Sequence, residues 1–400
     1  MKNILMVSQH YPPEIGAASN RSAHIVSHLL KNGYHIDLIT SKPNYPNPVI
    51  YQSLAYEEME HERLNIYRCP VLPGSFPLLS RLLNQLFFLF FALWTALLIC
   101  LRQSINKCVT TSPPFAVNVI GMFVSKVLRI PWVMEVRDLW PDSMIAVGAI
   151  RESHPLYKLF KRLEHAFYRC SRHIVVVTYH TRELLIQQGI PPNKMTVITN
   201  GVPDWITSVD QADQQPKQTM KVMYIGNLGL SQNLGIVLDA ANRLKAHEQI
   251  EFYFIGEGLD KEQLIRKARQ LQLSNVHFID GVTDKRQLAQ WYLQADLGIV
   301  SLKKAQLFKS VIPSKVFEYA GLNVPIMLIG DGEVAEMIER YELGFSVDVD
   351  ISKVSEAILG FYQRWKETDQ NHVTNPHRDR FKHDFSWEHL IQKYIQVLNA

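Results

Sequence analysis

The first forty residues, MKNILMVSQHYPPEIGAASNRSAHIVSHLLKNGYHIDLIT (residues 1–40), set out a strand, a loop, a helix and a second strand. Residues 4–7, ILMV, are an unbroken apolar run, as a strand buried on both faces of a parallel sheet requires. The polar loop SQHYPPEIGAASNR follows, then a helical segment over residues 22–31 that ends at Gly33. Residues 35–40 are the second strand. This order begins a doubly wound parallel sheet, in which ligands collect at the carboxyl ends of the strands. Gly16 lies in the first loop, where a missing side chain lets a ligand approach the backbone, but the GxGxxG fingerprint of dinucleotide enzymes is absent. A nicotinamide cofactor is disfavoured.

Further strands are expected at residues 64–69, 108–111, 132–136 and 173–178. Residues 207–219, TSVDQADQQPKQT, are polar and aperiodic and read as a linker. The pattern then restarts, with strands at 220–225, 250–255, 276–279 and 297–301 and helices at 236–247, 260–271 and 285–295. The fold class is α/β: a Rossmann-like domain over 1–206, the linker, a second over 220–385, and a final helix within 386–400, apolar at Leu390, Ile391, Tyr394, Ile395 and Leu398. A chain of 400 residues suffices for two cores. A net charge of +4 is too small to argue for nucleic acid, and a pI near 8.7 is compatible with an anionic membrane surface. Cys69, Cys100, Cys108 and Cys170 show no CxxC spacing and read as reduced thiols of a cytosolic protein. The apolar run at the N-terminus is too short for a signal peptide.

Residues 82–101, LLNQLFFLFFALWTALLICL, hold no charge and are bracketed by Arg81 and Arg102. Their length meets the criterion for a membrane span, yet a span would split one sheet across a bilayer. The reading is a helix that packs on the sheet with one face and dips its excess Phe, Leu and Trp into one leaflet, against the alternative of a wholly buried core helix.

Residues 308–332, FKSVIPSKVFEYAGLNVPIMLIGDG, read as the binding stretch. Pro313 suits a first helical turn, and Ser314, Lys315 and Glu318 share one face of the short helix that follows. A helix N-terminus with lysines suits an anion, and a carboxylate one turn on suits sugar hydroxyls. Together they suggest a nucleotide sugar. Asp348-Val349-Asp350 spells a DxD, read here as a turn with a helix cap rather than a metal site.

The stretches QHYPPEIGAASNR, KPNYPNPVIY, TTSPPF, EVRDLWPDS, VITNGVP, YIGNLGLSQNL and VIPSKVFEYA, in this order and spacing, resemble the family 4 glycosyltransferases of GT-B fold. More narrowly they resemble bacterial O-antigen and capsule transferases of the N-acetylfucosamine type. The resemblance implies metal-independent, retaining transfer from a UDP-sugar to a lipid-linked saccharide at the cytoplasmic face of the inner membrane. The donor would be held by the second domain, the acceptor by the first, and the final helix would cross back to the first.

Glu318 matches the second glutamate of the family's Glu-x7-Glu motif, which grips the ribose; the first falls at Ser310. In the loop Gly226, Asn227, Gln232, Asn233, the usual diphosphate cations are replaced by Asn227 and Gln232. The phosphate role therefore moves to Lys309 and Lys315, with the amides of Val311, Ile312 and Ser314. Base contacts are expected at Gly256 and Val282. In the first domain Gly16, Asn20 and Arg21 are diphosphate or acceptor candidates. Asp138 would orient the acceptor hydroxyl or line the donor sugar, and Arg137 pairs with a phosphate or with Asp138 itself. A nucleotide-sugar epimerase and a non-catalytic sugar- or lipid-binding scaffold are the alternative functions.

Overall fold

The computed structural model describes residues 2–14, 16–44, 51, 61–71, 77–146, 150–209, 217–282, 284–367 and 376–400. Residues 45–50 of KPNYPNPVIY and 210–216 of the expected linker lie outside them. The chain forms two compact units, Met1–Thr199 with Trp387–Ala400, and Asn200–Ser386.

The first unit runs β1 (Lys2–Val7), α1 (Ala17–Lys31), β2 (Tyr34–Ser41), β3 (Leu64–Cys69), α2 (Pro77–Arg102), β4 (Lys107–Ser112), α3 (Val117–Val127), β5 (Trp132–Val136), α4 (Asp142–Ala146), α5 (Pro155–Cys170), β6 (His173–Val176), α6 (Tyr179–Gln187) and β7 (Met195–Val197). Its seven strands are all parallel, in the order β3-β2-β1-β4-β5-β6-β7. The order reverses between β1 and β4, and that switch point opens at the carboxyl edge. Strand β7 carries no apolar run and is not among the strands expected from the sequence.

Successive side chains of a strand point to opposite faces, and β5 shows what covers each. Trp132 lies against Gly121 of α3 and Phe167 of α5, where a Cβ on Gly121 would stand 2.2 Å from the indole. Val133 joins the opposite core, with α1 and Trp387, Leu390 and Tyr394 of the C-terminal helix. Helices α2, α3 and α5 therefore form one layer, and α1 with the C-terminal helix the other.

Helix α2 begins at Pro77 rather than at residue 82, since proline is well placed in a first turn and Arg81 only bounds the apolar run. Phe88, Ala92, Ala96 and Ile99 are buried on its inner face. Leu86, Phe90 and Trp94, on the outer face, are 61%, 67% and 59% exposed. It is not a wholly buried core helix. Its carboxyl end is fixed by the buried Asp37 of β2, which accepts from Gln103, from Asn65 at 3.0 Å and from Tyr67 at 3.3 Å.

The second unit runs β8 (Met220–Ile225), α7 (Gly235–Arg243), β9 (Ile250–Ile255), α8 (Lys261–Gln270), β10 (Val276–Ile279), α9 (Lys285–Gln294), β11 (Leu297–Ser301), α10 (Lys315–Gly321), β12 (Ile326–Ile329), α11 (Glu333–Arg340), β13 (Gly344–Val347), α12 (Ile351–Glu367) and α13 (Pro376–Asp384). Its six parallel strands are ordered β10-β9-β8-β11-β12-β13, with the switch point between β8 and β11. The last helix, α14 (Trp387–Asn399), belongs to the first unit.

A buried charge holds the first unit's centre together. Arg21 of α1, 2% exposed, donates to the carbonyls of Thr199 (2.6 Å) and Ile198 (2.8 Å) and to the Glu135 carboxylate (3.1 Å). Glu135 also accepts from Thr111 at 2.8 Å, and the Trp387 ring lies 5.7 Å from the guanidinium. Arg21→Leu leaves Glu135 buried without its cation, and removing one partner of such a pair costs about 3–5 kcal/mol. Urea unfolding followed by tryptophan fluorescence should show that loss. Adding Glu135→Leu should restore most of it.

Candidate active site

In the second unit the strand ends β8 and β9 meet at two glycines. Gly226 and Gly256 have φ of 133° and 145°, and a Cβ on Gly256 would stand 2.0 Å from the Gly226 carbonyl oxygen. No side chain fits there, so the backbone beside the switch point stays open to a ligand. Asn227 and Gln232 converge on Gly229, whose added Cβ would lie 2.7 Å from Asn227 Nδ2 and 2.8 Å from Gln232 Oε1. Asn233 takes the left-handed conformation at φ 50°, which asparagine tolerates. Val282 packs on the main core of this unit, beside the Gly281 amide that donates to Glu257 at 3.0 Å.

Helix α10 delivers two charged side chains to the same place. Its Ser314 cap residue makes no side-chain capping bond, and Val316 and Phe317 are buried in the core. Lys315 is buried; its Nζ lies 3.3 Å from the centre of the Tyr224 ring and 3.2 Å from where a Cβ of Gly226 would be. Burial pushes its pKa well below the ordinary lysine range, and the nearby Glu318 carboxylate opposes that shift. Glu318, 8% exposed, accepts from the Tyr292 hydroxyl through Oε2, while Oε1 has no protein donor among the described residues. Desolvation, reinforced by Glu318, holds the Tyr292 hydroxyl well above its usual range, so it stays a donor. Tyr319 stacks edge-on against Tyr292 at 5.0 Å and ties α10 to β8, donating to the Met223 carbonyl at 2.8 Å.

Two expected donor contacts are otherwise engaged. Lys309 pairs with Asp331 at 3.0 Å, in the loop after β12, so its charge is already balanced. Ser310 is buried and donates to the Leu307 carbonyl at 2.6 Å. Ile312 is buried in the core and Val311 is half-buried, which leaves only their backbones to offer a ligand. Asp350 accepts from the Lys353 amide at 3.0 Å at the start of α12, and Asp348 pairs with the Lys353 side chain. The DxD is thus a capped turn.

In the first unit Gly16, at φ 148°, occupies the cap position of α1 and its carbonyl accepts from the Asn20 amide at 3.0 Å. Asn20 is half-buried and Asp138 exposed, whereas Arg21 is committed inside the unit. Arg137 donates to Thr111 at 3.0 Å and to the Pro113 carbonyl, and so braces the TTSPPF turn rather than pairing with Asp138. Tyr292, which positions Glu318, carries no local sequence signal, and Tyr224, which lies under Lys315, opens the stretch YIGNLGLSQNL without announcing that role. Each lies at a distance from α10 that only the fold closes.

The glycosyl transferase 4-like domain model matches residues 16–201 and the glycosyl transferases group 1 model residues 207–375. WcaI of Escherichia coli (strain K12), assigned to colanic acid biosynthesis as a glycosyl transferase, is 24% identical over 99% of this chain and 100% of its own. Among solved structures, sucrose-phosphate synthase from Thermosynechococcus elongatus superposes with a TM-score of 0.75 at 15% identity, covering 100% of this chain and 98% of that one. Anabaena HepE, solved with UDP and glucose, gives 0.68 at 16% identity over 100% of both chains. Two parallel sheets, and two transferase domain models that between them take in most of both units, agree in one conclusion: the chain belongs to the family 4 glycosyltransferases of GT-B fold.

Proposed function

We propose that this enzyme moves a sugar from a UDP-sugar to a lipid-linked saccharide in O-antigen, capsule or exopolysaccharide assembly, with retention of configuration and without a metal. The observation that carries the reading is the placement of Lys315 Nζ beside Gly226, with the Glu318 carboxylate one turn along the same helix. The loop that lacks cations at Asn227 and Gln232 thereby receives one from α10. The bound UDP of HepE and the assignment of WcaI to a polysaccharide pathway support the donor and the setting. The sequence motifs favour an amino or deoxy sugar of the N-acetyl-L-fucosamine kind.

In the reaction the bond from the anomeric carbon to the β-phosphate oxygen breaks and its electron pair leaves with UDP. The acceptor hydroxyl bonds to that carbon from the same face and passes its proton to the departing phosphate. Negative charge therefore grows on the diphosphate, where Lys315 and the backbone amides ahead of α10 stabilise it. Glu318 fixes the ribose through Oε1. Gly16, Asn20 and Asp138 serve the acceptor side. The acceptor's lipid places the enzyme at the cytoplasmic face of the inner membrane, with the exposed face of α2 in the leaflet.

Incubation with a panel of UDP-sugars and a short lipid-linked acceptor should give product, and no turnover with any donor together with no UDP binding by calorimetry would sink the reading. Acceptor-free conversion of the nucleotide sugar would instead establish the epimerase. Glu318→Ala removes a charged hydrogen-bond acceptor and strands the Tyr292 hydroxyl, so kcat/KM for the donor should fall about a hundredfold.

The depressed pKa of Lys315 gives a pH signature. A diphosphate favours the charged lysine, so UDP affinity should decline as pH rises through that lowered pKa, below the range of a surface lysine. Calorimetry across a pH series should record the decline together with proton uptake on binding. Lys315→Arg should abolish both, since the guanidinium keeps its proton.

A further inference from the structure

The layer formed by α2, α3 and α5 leaves more in solvent than the apolar stripe of α2. Val127 at the end of α3 and Leu156 and Leu159 on α5 are large, exposed apolar side chains. The same three helices and the turn after α3 carry Arg102, Lys126, Arg129, Lys158, Arg162 and Arg169, all exposed. The one carboxylate on these three helices, Glu164, is buried, accepting from Tyr168 at 2.7 Å and pairing with Lys161 at 2.7 Å. Glu152, just ahead of α5, is offset by its neighbour Arg151. On α5 Lys158, Leu159 and Arg162 lie within one outward strip, Arg162 following the other two by four and three residues, while Leu156 is exposed in the first turn and off that strip. Exposed leucines flanked by lysine and arginine mark a helix that lies in a membrane interface.

We propose that the α2–α3–α5 layer is a continuous docking surface for an anionic lipid bilayer, with α2 and α5 both in the interface plane. It rests on the membrane reading of α2 given above and extends it to a second helix and a lipid class. The apolar side chains enter the acyl boundary, and the basic ones meet lipid phosphates. Charge complementarity selects this occupant over a second copy of the chain, which would bring like charges face to face. Spanning is opposed by Phe88, Ala92, Ala96 and Ile99, which hold α2 on the sheet.

The test is flotation of the full-length protein with vesicles of phosphatidylcholine alone and of phosphatidylcholine mixed with phosphatidylglycerol. Partitioning should rise on adding phosphatidylglycerol and weaken with salt. In Lys158→Gln with Arg162→Gln it should fall roughly fivefold per basic residue lost. A Leu86→Ser, Phe90→Ser, Trp94→Ser variant should lose binding to both compositions, and thermal melts by circular dichroism establish that each variant is folded. Equal binding to both vesicles, or no effect of the paired glutamines, overturns the proposal while the α2 reading stands. Anionic binding untouched by the serine variant sinks the α2 reading and leaves the basic surface. Binding to neither vesicle, or a dimer that these substitutions dissolve, overturns both.

Discussion

Space beside Gly226 is the constraint on which the candidate site depends. The Gly226 carbonyl lies so close to Gly256 that no side chain fits there, Gly226 itself has φ 133°, and the position its Cβ would take is what Lys315 Nζ approaches. Its ammonium rests on the Tyr224 ring, a weak partner that solvates the charge only in part. A buried cation held in this way is costly in the free protein and gains most when an anion arrives. The same crowding fixes α10 against β8 through Tyr319, so Lys315 and Glu318 are presented by a rigid element rather than by a loop.

Much of this architecture is legible in the chain itself. The strands Trp132–Val136, Met220–Ile225, Ile250–Ile255, Val276–Ile279 and Leu297–Ser301 run as the apolar stretches predict, because parallel strands covered on both faces must be apolar throughout. Helix α1 starts at Ala17, ahead of the periodic segment, since its first turn is polar yet buries Ser19 and Arg21. No local pattern announces a buried arginine. The same holds at the site, where Glu318 and Lys315 follow from helix spacing and family motif. The bond from Tyr292, the ring of Tyr224 and the pairing of Lys309 with Asp331 join residues far apart in sequence, and only the folded sheet brings them together.

The two units use charge differently. In the first, Arg21 and Glu135 are spent internally, held by backbone carbonyls and by the Thr111 hydroxyl, and contribute to one arrangement of α1, β5 and α14. In the second, Lys315 and Glu318 keep hydrogen-bonding capacity in reserve, which is what a ligand needs. The outward basic residues of α5 form a third class, exposed to solvent, whose effect depends on ionic strength.

Helix α14 returns to the first unit after the whole of the second, and Lys2 and Asn399 are hydrogen-bonded to each other. One face of the first sheet therefore lacks part of its cover until α14 has been made. Residues 200–386 fold as an insertion within a unit that is begun first and finished last. On the ribosome, the sheet's apolar face around Val133 and Val175 waits for Trp387, Leu390 and Tyr394 while the whole second unit is made. Emergence of α14, rather than of any strand, sets when this enzyme acquires its native first unit.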